Sequence, residues 1–200
     1  MTRPKDSYPW EPIRLFFDLM SGITRVEPTP DPRISLILPM TEPTHLTDGP
    51  DGQRATMVDV GHKPQTARSA TAEAVLRFPT AILDNVLAGR GPKGPIEEVA
   101  RVAGILAAKR TGELIPMCHP LRLDFLDVTF HEEGGDRLRI RAVAKTTGPT
   151  GVEMEAMTAA SVAALTVYDM TKAIDKGIVI ESLALVEKTG GKSGVWRRDD

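Results

Sequence analysis

A shortage of cysteine and histidine limits the disulfide and metal chemistry of this sequence. The only cysteine, Cys118, has no second thiol in the chain with which to form an internal disulfide. A lone cysteine also excludes the Cys-rich clusters of structural zinc and iron–sulfur sites. The four histidines include no i,i+4 pair and no H-E-x-x-H motif, so the sequence predicts no metal site. Stability must come from the core or from other subunits.

Long apolar runs and an excess of one charge are also missing. The most apolar N-terminal stretch, residues 13–20, contains Asp18, which excludes a spanning helix and argues against a signal peptide, so we expect a cytoplasmic protein. The 25 Lys and Arg against 27 Asp and Glu leave a net charge of -2. This balance gives no chain-wide attraction for nucleic acid or for an anionic membrane. We therefore expect a small partner, held by a local cluster of charges.

Proline divides the sequence into two parts. Nine of the 16 prolines lie in the first fifty residues, where they favour extended or polyproline backbone. Four of the nine aromatic residues also lie there, which is unusual for a freely solvated tail. We predict that residues 1–43 form a proline-rich, partly ordered extension and that residues 44–200 form the main domain.

The main domain alternates between strand and helix patterns. Alternating small or apolar and polar residues predict strands at 57–60, 66–78, 121–131, 137–145 and 178–186. Helical spacing predicts helices at 80–87, 96–110 and 153–176. The residues Glu133 to Asp136 predict a β-hairpin turn. This β-α-β-β-α-β order is typical of an α+β, ferredoxin-like split βαβ fold, in which an antiparallel sheet has helices packed on one face.

The long helix combines apolar faces with charged candidates for chemistry. It is apolar almost all round, which one sheet face cannot cover, so we expect it to contact another subunit. Asp169 and Lys172 are i,i+3 neighbours among apolar positions, where an ion pair can shift pKa values; a solvated surface pair is the alternative. Glu155 lies 14 residues before Asp169, about 21 Å along the axis. If both serve one small substrate, a second subunit is the simplest explanation.

Two kinds of loop offer further candidates. Residues 114–120 present Cys118 and His119 between prolines, although adjacent residues cannot easily form a nucleophile pair and a buried thiol is common. Residues 188–194 resemble the end of a phosphate-binding P-loop, but Val186 stands where the first glycine should be. Their glycines and lysines could still wrap a phosphate, and a disordered C-terminus is the alternative.

Six stretches of the sequence together resemble the cyclic pyranopterin monophosphate synthase family, the molybdenum cofactor biosynthesis protein C family. The resemblance runs from about Thr44 to Gly194. The stretches that carry it are Met57–Val60, Ala107–Thr111, Leu114–Pro120, Thr150–Ser161, Tyr168–Ala173 and Gly190–Gly194.

The resemblance implies a lyase that converts 3',8-cyclo-7,8-dihydro-GTP into cyclic pyranopterin monophosphate and pyrophosphate. It implies that residues 44–200 are a catalytic ferredoxin-like domain. It also implies a homohexamer, a trimer of dimers, with active sites at the dimer interface. No cofactor is expected, and magnesium would enter only through the substrate phosphates.

The resemblance also implies roles for individual residues. Asp169 and Lys172 match the catalytic Asp-x-x-Lys motif. The substrate-binding positions are Met117, Cys118, His119, Met154, Glu155, Lys93, Lys188 and Arg68. Our hypothesis is that Lys172 is a general acid/base whose pKa is lowered by neighbouring cations, while Asp169 orients it. Arg68, Lys93 and Lys188 would bind the triphosphate, His119 would hold the pterin half, and Cys118 would pack rather than react.

The sequence departs from the family in two places. Lys93 lies in a Gly-Pro-Lys-Gly-Pro loop, and residues 1–43 exceed the usual N-terminus. Another class of function is a nucleotide- or pterin-sensing binding module, because fold alone does not determine function. A generic nucleotide phosphotransferase would need a true P-loop or a carboxylate metal pair, and the sequence has neither.

Overall fold

The structure of this protein is a computed structural model that describes residues 46–50, 52–79, 82–90 and 94–199. The predicted extension over residues 1–43 and the candidate Lys93 lie outside the described residues. The division into an extension and a catalytic domain stays a prediction.

The described residues form seven strands and four α-helices. The strands are β1 (Leu46–Gly49), β2 (Gly52–Ala55), β3 (Thr66–Arg77), β4 (Phe125–Glu133), β5 (Arg137–Gly148), β6 (Val179–Thr189) and β7 (Trp196–Arg197). The helices are α1 (Leu83–Asn85), which continues as a π-helical turn (Val86–Arg90), α2 (Ile96–Ala108), α3 (Thr111–Leu114) and α4 (Glu153–Thr171).

The main sheet has the order β4-β5-β3-β6-β7, and every neighbouring pair is antiparallel. The strand β5 separates β3 from β4, which is the split βαβ arrangement, and α2 and α4 pack together on one face. The predicted α+β fold with an antiparallel sheet and helices on one side is therefore confirmed. The strands β1 and β2 form a separate two-stranded hairpin.

Small side chains build the core between the sheet and the helices. On β3, Ala70, Ala72, Ala74 and Leu76 alternate toward the helices and are buried, as strand periodicity requires. The helices approach closely at Gly104, where an added Cβ would lie 2.8 Å from the carbonyl oxygen of Ala159. This close crossing explains why α4 is rich in alanine.

Several element boundaries differ from the sequence predictions. Residues 57–60 do not form a strand and do not join the main sheet. The predicted helix at 80–87 is instead a short α1 and a π-helical turn. The helix α4 ends at Thr171 rather than at 176, and β4 begins at Phe125 rather than at 121.

The outer surface of the helical layer keeps apolar side chains in contact with solvent. Val99, Val102 and Leu106 follow one side of α2, and Leu165 lies on α4, all of them exposed. The predicted contact of α4 with another subunit stays a prediction. In the described part of the chain, no helix combines the length and the hydropathy needed to cross a membrane.

Candidate active site

A basic side chain from the first long strand anchors one end of the candidate site. Arg68 lies on β3, where its Nε donates a hydrogen bond to the carbonyl of Gly148 at 2.9 Å and its Nη2 donates to that of Pro149 at 3.1 Å. These carbonyls lie between the end of β5 and the start of α4. Arg68 therefore ties the central strand to the N-terminal end of the long helix.

A glycine turn after β6 packs against Arg68. Gly190 and Gly191 have φ values of +89° and +71°, the left-handed region that favours glycine. An added Cβ at Gly190 would overlap the carbonyl oxygen of Ala67, and one at Gly191 would overlap the guanidinium of Arg68. The glycines are required here because the turn crosses β3 at close approach.

Lys188 brings a second cation to the same place. It lies opposite Ala70 in the β3–β6 register, and residues directly opposite share a face of the sheet, so Lys188 projects toward the helices. Its Nζ donates a hydrogen bond to the hydroxyl of Ser193 and lies 3.9 Å from Oε1 of Glu153. Sheet pairing thus places Arg68 and Lys188 together at the first turn of α4.

Glu155 is the buried carboxyl group of the site. Its residue is 4% exposed, and burial raises the pKa of this carboxyl, with a smaller contribution from the charge of Glu153. It lines a pocket of about 290 Å³ whose other walls are formed by Ala108, Lys109, Arg110, Thr111, Gly112, Glu113, Pro120 and Leu121. The pocket joins α4 to the loop that contains residues 117–119.

In that loop, the Cys118 thiol and the His119 imidazole have different surroundings. Burial, and then the negative charge of Glu155, raise the pKa of the Cys118 thiol. This opposes thiolate formation and agrees with a packing role. The Nε2 of His119 lies 2.8 Å from the carbonyl oxygen of Val58. Since a carbonyl oxygen can only accept, Nε2 is the donor of this hydrogen bond. In the neutral tautomer, Nδ1 of His119 is then the acceptor available to a ligand.

The remaining three substrate-binding candidates are Met117, Met154 and Lys93. Met117 and Met154 are both half-buried, the first in the loop with Cys118 and the second beside Glu155 in the first turn of α4. Lys93, the third cationic candidate, lies outside the described residues. The structure therefore gathers most of the predicted binding residues around the start of α4.

The catalytic candidates lie at the opposite end of the same helix. The Nζ of Lys172 is 2.6 Å from Oδ1 of Asp169, and both side chains are about half exposed. The hydrogen bond that Lys172 donates to Asp169, together with the negative charge of Asp169, raises the pKa of Lys172. The expectation that cations lower this pKa is wrong for the single chain, because Asp169 is its dominant neighbour. The helical rise puts this pair about 21 Å from Glu155.

Two neighbours of Lys188 were not among the site residues predicted from the sequence. In the sequence analysis, Glu153 is only the first residue of the predicted long helix, and Ser193 is only part of the glycine-rich residues 188–194. The signal in the sequence is the pair of consecutive glycines between Lys188 and Ser193. A glycine turn there folds the chain back and brings these two residues, five positions apart, into contact. Among the described residues, no three His, Cys, Asp or Glu side chains lie together as a set of metal ligands.

Comparison with known families identifies the family of this chain. A family model described as the MoaC family matches residues 57–191, more than half of the 200-residue chain. The matched range contains every predicted site residue, from Arg68 to Lys188. The chain belongs to the MoaC family of molybdenum cofactor biosynthesis enzymes.

Proposed function

We propose that this protein is a cyclic pyranopterin monophosphate synthase. In this reaction, (8S)-3',8-cyclo-7,8-dihydroguanosine 5'-triphosphate is converted to cyclic pyranopterin monophosphate and pyrophosphate by a phosphorus–oxygen lyase. Family membership supports a role in molybdenum cofactor biosynthesis. The observation that carries the finer proposal is that Arg68 and Lys188 both lie at the start of α4, the helix whose first turn also contains the buried Glu155.

The cations suit the departure of pyrophosphate. When the cyclic phosphate forms, a substrate hydroxyl loses its proton and its oxygen bonds to the α-phosphorus. The bond from that phosphorus to the bridging oxygen breaks, and pyrophosphate leaves with the electron pair. Cations aimed at the leaving group stabilise the charge that develops there. Arg68 uses two of its five N–H donors on carbonyl groups of the described chain, which fixes the direction of the guanidinium and leaves three N–H groups outside these two bonds.

The Asp169–Lys172 pair suits proton transfer. Lys172 is protonated at neutral pH, as lysines ordinarily are, so it can donate a proton to a substrate heteroatom. Asp169 holds the ammonium in one direction through the 2.6 Å contact. We assign Lys172 as the general acid/base and Asp169 as the residue that orients it.

The distance along α4 favours an active site shared by two chains. A small substrate cannot reach from Glu155 to Asp169, which are about 21 Å apart along a single helix. We propose that one copy supplies the basic end of α4 and a second copy supplies the Asp169–Lys172 pair. This arrangement fits a homohexamer built as a trimer of dimers.

The other residues complete the substrate site in this proposal. His119 and the backbone of residues 117–119 hold the pterin-forming half, with Met154 and Glu155 beside it. Lys93 adds a third cation for the triphosphate. The enzyme is cytoplasmic and needs no cofactor of its own, and magnesium enters only with the substrate phosphates.

The test is single-turnover conversion of the enzymatically prepared cyclo-dihydro-GTP. Pyrophosphate release and the oxidised, fluorescent pterin are both measured for wild type and for Lys172→Ala. We expect turnover by wild type, and loss of turnover with retained substrate binding in the variant. Binding without turnover by wild type would instead favour a ligand-sensing module.

A further inference from the structure

The ammonium group of Lys188 has one close and one distant contact. Ser193 accepts a hydrogen bond from Nζ, whereas Oε1 of Glu153 lies 3.9 Å away, beyond the usual hydrogen-bond distance. An ammonium has three N–H donors, so one direct bond leaves two donors for a ligand. Glu153 therefore compensates the charge of Lys188 without occupying its donors.

A comparison with the other lysine pair shows that this contact is loose. Lys172 and Asp169 approach to 2.6 Å and form a direct hydrogen bond, although both are more exposed than Lys188 and Glu153. Coulomb attraction falls with distance, so the carboxylate of Glu153 is the easier of the two to replace. A phosphate oxygen that makes a direct hydrogen bond to Lys188 would interact more strongly than Glu153 does.

Glu153 can also lose this contact at small cost. It lies in the first turn of α4, where the N-terminal end of the helix dipole stabilises a negative charge. Its carboxylate lies against Gly151, where any Cβ would overlap it. The helix end therefore stabilises the negative charge of Glu153 whether or not the contact with Lys188 is present.

We propose that Glu153 is a displaceable counter-ion that occupies the place of a phosphate beside Lys188, while Ser193 is the positioning residue that keeps the ammonium in place. The inference rests on the proposed function, since it assigns the phosphate group at Lys188 to the pyrophosphate end of the substrate. An incoming triphosphate replaces Glu153, and Glu153 returns to Lys188 as pyrophosphate leaves. Glu153 thus weakens anion binding and speeds product release.

The experiment measures binding of inorganic pyrophosphate to the full chain by calorimetry at low salt. Glu153→Gln removes the competing charge, and we expect a dissociation constant about two- to fivefold lower than that of wild type. The gain should vanish in a Lys188→Met background, because the competition acts through this ammonium. Glu187→Gln is the matched control, since Glu187 neighbours Lys188 in sequence, is also 31% exposed and pairs with Arg197.

Steady-state kinetics separate this role from a merely structural one. Glu153→Gln should lower KM and kcat together, because the substrate binds more tightly and pyrophosphate leaves more slowly. Ser193→Ala should weaken pyrophosphate binding, and Ser193→Thr, which keeps the hydroxyl, should restore it.

The proposal is overturned if Glu153→Gln leaves pyrophosphate binding unchanged or weakens it, if its gain persists without Lys188, or if Glu187→Gln gives the same gain. Failure of the proposed function is a separate result. Wild type would then bind pyrophosphate with the predicted coupling between Glu153 and Lys188, but would not turn over cyclo-dihydro-GTP.

Discussion

The glycine turn after β6 provides a matched pair of substitutions for testing how Arg68 is held. Gly191 and Gly194 have φ values of +71° and +63°, so alanine at either position carries a similar backbone strain of about 1–2 kcal/mol. The surroundings differ, because a Cβ at Gly191 would overlap the guanidinium of Arg68, whereas one at Gly194 has no heavy atom within 4 Å. The pair therefore separates backbone strain from displacement of Arg68.

Gly191→Ala should lose more stability than Gly194→Ala because of the hydrogen bonds that Arg68 makes. Moving the guanidinium disturbs the hydrogen bonds to the carbonyls of Gly148 and Pro149, and bonds from a charged donor contribute about 1.5–3 kcal/mol each when they are intact. Since Arg68 is only part-buried, we expect Gly191→Ala to lose about 2 kcal/mol more than Gly194→Ala in free energy of unfolding.

Urea denaturation and pyrophosphate calorimetry on the same two variants provide the assay. Gly191→Ala should lose both stability and pyrophosphate affinity, and Gly194→Ala should lose only the part of the stability that comes from strain. Equal losses of stability in the two variants, or unchanged affinity in Gly191→Ala, would refute the reasoning that this turn positions Arg68.

Three further predictions concern the two ends of α4 and its packing. Gly104→Ala should cost about 1–3 kcal/mol in urea denaturation, because its Cβ meets the rigid carbonyl of Ala159; an unchanged midpoint would contradict the close helix crossing. Asp169→Asn should shift the alkaline limb of the kcat profile to lower pH, because the group that raises the pKa of Lys172 is lost; an unmoved limb would remove Lys172 as the titrating acid. Glu155 has a raised pKa in the folded protein, so the folded state binds its proton more tightly and stability falls as pH rises from 4.5 through that raised value. Melting temperatures measured against pH should lose this fall in Glu155→Gln, and an identical slope in the variant would show that another group is responsible.

The fold could be predicted where periodicity was strong on both sides of a turn. The strand β5 alternates over 12 residues, and the glycines between β4 and β5 mark their hairpin. The end of α4 could not be predicted, because apolar residues such as Ile174 continue the helical pattern beyond Thr171. The hairpin of β1 and β2 and the two-residue β7 were missed, since four exposed residues or fewer carry little periodicity.

The site was predictable in composition but not in arrangement. The family resemblance implied Arg68 and Lys188 as binding residues, yet only the β3–β6 register shows that residues 120 positions apart lie beside the same helix end. The Asp169–Lys172 ion pair followed from i,i+3 spacing, whereas the direction of the lysine pKa required knowledge of every neighbour. The contact of Glu153 with Lys188 depends on the path of the glycine turn, which sequence spacing does not specify.

In the proposed enzyme, one active site takes Arg68 and Lys188 from one chain and the Asp169–Lys172 pair from another. The most direct test of this arrangement is a complementation assay in which the inactive variants Lys172→Ala and Arg68→Ala are mixed, dissociated and reassembled. In a two-fold dimer, hybrids hold one site with both mutations and one intact site, so an equal mixture should regain about a quarter of wild-type turnover. If mixtures with verified hybrid assembly recover no turnover, the shared active site is contradicted, because each site would then be built from a single chain.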